Sequence, residues 1–154
     1  KNEPSRRVGQ LLDDEAAVGI NTAAYYSDFQ TRAESAKDDL ISFLLTAKRE
    51  GFKVAAYGAA AKGNTLLNFA GVRPDLLPYV VDRNPRKQGM YMPGSRIPIV
   101  EEAQLERDRP DRILILPWNL REELQNQLAY VGQWNAQFVT AIPRIQIAPA
   151  GMNR

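Results

Sequence analysis

The chain contains neither cysteine nor histidine. Without cysteine it forms no disulfide, no thiolate metal site and no cysteine nucleophile, and the redox compartment stays open apart from a cytoplasmic default. Without histidine it lacks the commonest general base near neutral pH and the commonest zinc ligand, so any chemistry falls to carboxylates, Lys, Tyr or Ser. Both absences favour a binding module over a self-contained catalyst. Long apolar runs are missing as well. The longest are strand-sized, short of the roughly 18 to 20 residues a membrane-crossing helix needs. The polar opening Lys1-Asn2-Glu3-Pro4-Ser5-Arg6-Arg7 lacks the apolar core of a signal peptide. Nothing in these residues directs export or membrane insertion. An excess of one charge is also absent: 20 Lys and Arg stand interspersed with 18 Asp and Glu, for a net charge of +2. That gives no electrostatic case for nucleic acid. The chain starts at Lys1 rather than Met, as a fragment or a processed product would.

What is present suits one soluble domain. The 154 residues are 44% hydrophobic and 25% charged, enough to bury a core and too apolar for disorder. Residues 1–25 carry no clear period and read as an arm or linker. From Tyr26 to Glu50, Phe29, Ala33, Ala36, Leu40, Phe43, Leu44 and Ala47 recur at helical spacing, with Gly51 at the C-cap, so one long amphipathic helix leads into the domain. Short apolar runs then alternate with helical patterns. Strands are expected over 53–57, 77–82, 97–100, 112–116 and 137–142, and helices over 64–70, from Glu101, and over 120–130. The run Ile113-Leu114-Ile115-Leu116 is continuously apolar, as in a strand buried on both sides. This alternation predicts a Rossmann-like three-layer sandwich over residues 26–146, a parallel sheet with helices on both faces, preceded by the long N-terminal helix, with 147–154 as a tail. The turn-rich stretch 83–98, with Asn84-Pro85, Gly89 and Pro93-Gly94, reads as an ordered loop over one edge of the site.

The most informative segment runs from Val54 to Leu67. Gly58 and Gly63 occupy the first and third glycine positions of a G-x-G-x-x-G fingerprint, with Ala60 at the middle one, after a strand and before a helix. Gly58 would allow a tight turn and Gly63 a close helix–strand approach, while small Ala59, Ala60 and Ala61 would let a phosphate reach backbone amides. Asp82, at the end of the next strand, stands where a ribose-binding acid is expected. The bland alternative is a tight strand-to-helix turn without a ligand. Lys62 argues against it, because a cation near a helix N-terminus opposes the macrodipole, a conflict a bound anion relieves. A P-loop is excluded, since Lys62 precedes Gly63 and Asn64 follows it. Ala56-Tyr57 stand where methyl-donor motifs usually end their first strand with an acid. A second loop, Pro117-Trp118-Asn119, should face the first across a crevice. There Asn119 with Glu122 makes a capping-box-like start for the next helix, and Trp118 either stacks on a base or fills a gap. Arg83, Asn84 and Lys87 form a polar cluster, either a solvated turn or a diphosphate contact.

Several of these stretches resemble the C-terminal domain of bacterial S-adenosylmethionine-dependent sugar C-methyltransferases. They are Tyr57 to Asn68, Tyr79 to Pro85, Lys87-Gln88-Gly89 with Pro93-Gly94, and Leu114 to Leu120. The similarity runs in order from about Tyr26 to Pro143. The resemblance implies that this domain comes last in a longer protein, after a zinc-binding domain and a central S-adenosylmethionine-binding domain, and that the whole methylates a ring carbon of a nucleotide-linked keto-deoxysugar. It further implies that donor, zinc and catalytic base lie upstream, and that this domain takes no cofactor, is inactive alone and holds the sugar nucleotide against the upstream methyltransferase domain. Gly58, Ala59, Ala60, Lys62, Gly63, Asn64, Asp82, Arg83, Asn84, Lys87, Pro117, Trp118 and Asn119 are the substrate-binding candidates. Two other readings stay open: an NAD-binding domain of an oxidoreductase, from the Gly58, Ala60, Gly63 and Asp82 pattern, and a non-catalytic interaction domain with an empty crevice.

Overall fold

A computed structural model describes residues 5–151, which fall into two units, one up to Ser35 and one from Ala36 onward. The first holds α1 (Arg6–Ala17), a 3-10 turn over Ala23–Tyr26, and the first residues of α2 (Phe29–Arg49). α1 corrects the expectation of an arm without periodic structure. Its signal is faint because the helix is short: Val8, Leu11 and Leu12 recur at helical spacing, yet no α1 residue is buried. Residues 1–4 of the expected arm and 152–154 of the expected tail lie outside the described residues.

In the second unit, α2 buries Ala36, Leu40, Leu44 and Ala47, one stripe of its surface. It ends as anticipated at Gly51, whose φ of +78° lets the chain turn back so that Phe52 N–H reaches Ala47 O at 2.9 Å. Beyond it come β1 (Val54–Tyr57), α3 (Ala61–Phe69), β2 (Val80–Val81), β3 (Ile99–Val100), α4 (Ala103–Asp108), β4 (Arg112–Ile115), α5 (Arg121–Gln127), β5 (Gln137–Thr140) and β6 (Gln146–Pro149). The strands form one mixed sheet in the order β3-β2-β1-β4-β5-β6. The first five are parallel, with Ala56 registered against both Val80 and Leu114. β6 runs antiparallel to β5, Ile147 against Val139.

β6 corrects two expectations, that the sheet is wholly parallel and that a tail begins at 147. It lies at the sheet edge with Gln146, Ile147 and Pro149 exposed, so neither a continuous apolar run nor a clean alternation marks it. Pro149 is tolerated because an edge strand can spare an N–H. Other boundaries moved less. The anticipated strand over 77–82 is reduced to two residues, with Pro78 among those left out, and the helix expected over 120–130 becomes α5 followed by a 3-10 segment, Ala129–Trp134.

Alternate residues of the central strands enter two separate cores. Val54, Ala56, Leu114 and Val139 pack with Leu40 and Leu44 of α2 and Leu66 and Leu67 of α3. Ala55, Tyr57, Ile113, Ile115 and Phe138 pack with Leu105 of α4 and Leu124 of α5. Burial on both sides is why β4 reads as unbroken apolar sequence. After β1 the chain leaves to the first face through α3, and after β4 to the second through α5. The strand order reverses between these two neighbours, so the loops at their carboxyl ends diverge and open a crevice between them.

Candidate functional site

The crevice is built on two glycines that both touch the opposing loop. Gly58 has φ of +90°, donates to Val81 O at 2.7 Å, and accepts from Ala60 N–H at 2.7 Å. A side chain there would place its Cβ 2.6 Å from Pro117 Cδ. At Gly63, in the first turn of α3, a Cβ would lie 2.5 Å from Leu116 Cβ. The tight turn at Gly58 and the close helix–strand approach at Gly63 are thus both present. They press the loop after β1 directly onto the end of β4.

Residues from the next crossover hold this loop in shape. Ala59 N–H donates to Asp82 Oδ2 at 2.8 Å, and Lys87 Nζ donates to Ala59 O at 2.9 Å and to Asp82 Oδ2 at 3.1 Å. Asn84 N–H donates to the other carboxylate oxygen at 2.8 Å, and Gln88 Nε2 to the Asp82 carbonyl at 2.9 Å. Asn84 itself closes a local turn, its Oδ1 accepting from Arg86 N–H at 3.0 Å. Asp82, whose side chain is only 12% exposed, is therefore committed to three donors. The first intrahelical bond of α3 is Asn64 N–H to Ala60 O, 2.9 Å, and among the described residues no side chain caps the amides of Ala61, Lys62 and Gly63 before it. These donors, with the macrodipole behind them, suit an anion.

Lys62 spans the crevice. Its ammonium is 3.4 Å from Asn119 Oδ1 and 5.8 Å from the centre of the Trp118 ring. The capping-box reading of Asn119 is corrected here: Trp118–Leu120 form a 3-10 turn, α5 starts only at Arg121, and no side chain caps it. The extra turn places Asn119 too early to cap α5 and leaves its side chain facing Lys62. Arg83 is drawn to the second core face instead, its Nε 3.7 Å from Glu102 Oε2. Glu102 also accepts from Tyr57 Oη at 2.7 Å and Tyr130 Oη at 3.3 Å, while Gln127 Nε2 donates to Tyr57 Oη at 2.8 Å. Burial first, then the adjacent Glu102 carboxylate, pushes the Tyr57 and Tyr130 phenols far above the ordinary tyrosine range. This network joins β1, the start of α4 and the end of α5, and sequence reasoning missed it because its members are spread along the chain from Tyr57 to Tyr130.

A cavity of about 380 Å³ opens beside the first loop, with Ala59, Ala60, Ala61, Asn64 and Lys87 on its walls together with Met90 and Tyr91. The candidates Gly58, Lys62, Gly63, Asp82, Arg83, Asn84, Pro117, Trp118 and Asn119 are not on those walls. A larger cleft, about 440 Å³, lies at the amino ends of the strands by Lys53, Pro78 and Pro110, away from both loops. β1 ends in Ala56-Tyr57 rather than an acid, and among the described residues no three His, Cys, Asp or Glu side chains converge.

Residues 1–143 match a family described as the C-methyltransferase C-terminal domain. The chain is also similar to the C-methyltransferase NovU of Streptomyces niveus, 30% identical over 143 residues, which are 93% of this chain. It spans about a third of that protein's length, 34%. With the glycine loop, the Asp82 clamp and the Pro117 loop all lying inside the matched residues, the chain belongs to the C-methyltransferase C-terminal domain family.

Proposed function

We propose that the domain is a Rossmann-like three-layer sandwich that holds the nucleotide of a nucleotide-linked keto-deoxysugar, as the last part of an S-adenosylmethionine-dependent C-methyltransferase. The observation that carries this is the crevice at the β1/β4 reversal, where the uncapped first turn of α3 and the Lys62 ammonium offer a diphosphate site. Methylation itself, removal of a proton beside a ketone and attack of the carbanion on the methyl sulfonium, belongs to upstream domains that supply donor, zinc and base. This chain contributes binding and orientation, and its partners are the sugar nucleotide and the preceding methyltransferase domain. An NAD site would need the acid at the end of β2 free for ribose hydroxyls. Asp82 is instead spent on Ala59, Asn84 and Lys87, which weighs against the oxidoreductase reading.

Calorimetric titration of the chain with thymidine diphosphate, NAD and S-adenosylmethionine separates the readings. Saturable binding of thymidine diphosphate alone is expected. Binding of NAD in preference to it would overturn the proposal, and silence from all three would favour a non-catalytic interaction domain.

A further inference from the structure

The two edges of the sheet are finished differently. On the outer side of β3 the preceding loop folds back: Ile99 N–H donates to Met90 O at 2.8 Å, Ile99 O accepts from Gly89 N–H at 2.9 Å, and Met92 N–H donates to Ile97 O at 2.8 Å. That edge is covered by the chain itself. β6 closes the other edge, and among the described residues no strand or loop pairs with its outer side.

The register shows which groups are left there. Ala150 N–H donates to Ala136 O at 3.1 Å, so opposed residues of β5 and β6 exchange bonds at Ala150, Ala148 and Gln146, and not at Pro149 and Ile147. Ile147 therefore turns both its N–H and its C=O away from the sheet, and Pro149 turns out a C=O with no donor beside it. Exposed edges are commonly guarded by charge. From Ile145 to Gly151 there is none. Ile147, registered against the core residue Val139, also carries a side chain that is 49% exposed.

We propose that β6 is a docking edge for a second copy of this chain, pairing antiparallel with its own counterpart about a two-fold axis at Ile147. Such pairing is self-complementary. Ile147 N–H of each copy donates to Ile147 O of the other, and Ile145 N–H, one residue before the strand, reaches Pro149 O of the other copy. Both outward donors thus find acceptors. Proline selects this centre: an axis at Pro149 would have no donor on it, and an axis at Ile145 would set Ile147 against Pro143, which has none either. The axis stands perpendicular to the sheet, so the two Ile147 side chains fall side by side on one face and cover each other. Two six-stranded sheets become one continuous sheet, closed by a single isologous contact. The inference is independent of the nucleotide reading, since β6 carries none of the crevice residues.

Sedimentation of the full chain over a concentration series, with amide hydrogen exchange followed by NMR, tests it. A reversible dimer is expected, and the Ile147 amide, although it points away from β5, should exchange more slowly as concentration rises. Ile147→Pro removes only this outward N–H, and Ile147→Lys sets two like charges across the axis. Each should raise the dimer dissociation constant about tenfold or more, while the Ala148 and Ala150 amides stay protected by β5. A single-chain mass at every concentration up to about 1 mM, the Kd of a marginal association, would overturn the proposal. So would a dimer whose Ile147 amide exchanges freely, or one that both variants leave intact.

Discussion

Lys62 occupies a position that helix electrostatics disfavours, the first turn of α3, where amide dipoles present their positive end. Its 3.4 Å contact to Asn119 is long for a hydrogen bond and compensates little. If a diphosphate completes the site, Lys62→Ala should weaken nucleotide binding by about 1.5–3 kcal/mol, the range of charge-assisted hydrogen bonds, and leave the unliganded fold unchanged or slightly more stable. Titration of both proteins alongside thermal unfolding reads the two terms. Changes below about 0.5 kcal/mol in both would mark Lys62 as an ordinary surface residue. The glycines make the opposite kind of claim, about space rather than charge. A Cβ at position 63 would lie 2.5 Å from Leu116 Cβ, and that neighbour belongs to a fully packed strand end. Gly63→Val should therefore lower stability by roughly 1–3 kcal/mol or more through overpacking. An unchanged melting temperature would show that α3 can move off the sheet without penalty.

Among the elements, those with a well-buried face were the legible ones. α2 and β4 lie close to where their apolar spacing puts them, because Leu40, Leu44, Ile113 and Leu114 are all fully buried. α1 and β6 escaped because their partners are few: an α1 without buried residues and an edge strand with Ile147 half in solvent leave a weak pattern. The Tyr57–Glu102–Tyr130 network ties β1 to the start of α4 and to the 3-10 segment after α5, and it gives the fold an alkaline limit. Tyrosine's ordinary pKa is 10.0, and in the folded chain Tyr57 and Tyr130 are raised above it, as burial also raises Tyr79 beside Asp108. The unfolded chain therefore gives up these protons first. Stability is fully present below about pH 10 and falls as pH rises beyond it. Tyr57→Phe should cost about 1–3 kcal/mol at pH 7, where the hydrogen bonds to Glu102 and from Gln127 are lost, and make the decline above pH 10 shallower. Urea unfolding at pH 7 and pH 11 measures both. Parallel declines for the two proteins would mean that Tyr57 does not contribute to the limit.

At the scale of the molecule, the loops around the crevice were readable because small residues are forced where backbones meet, at Gly58 against Pro117 and at Gly63 against Leu116. Side-chain partnerships were not. That Asp82 turns inward to hold Ala59, and that Asn119 faces Lys62 rather than capping α5, depends on chain crossings no local pattern records. The same holds for Met90 and Tyr91, whose apolar character in a turn-rich loop was the available signal. Without histidine or cysteine, and with β1 ending in Ala56-Tyr57, the chain alone should transfer no methyl group from S-adenosylmethionine to a keto-sugar nucleotide. Turnover by the purified chain would refute that division of labour.

Nucleotide binding at the β1/β4 reversal can be read from amide chemical-shift mapping of the chain with thymidine diphosphate. The perturbed amides should cluster on both sides of the crevice, at Gly58 to Asn64 and at Trp118 and Asn119, with those around the amino-edge cleft at Lys53, Asp75 and Tyr79 unmoved. Shifts confined to that opposite cleft, or none at saturating nucleotide, would contradict it.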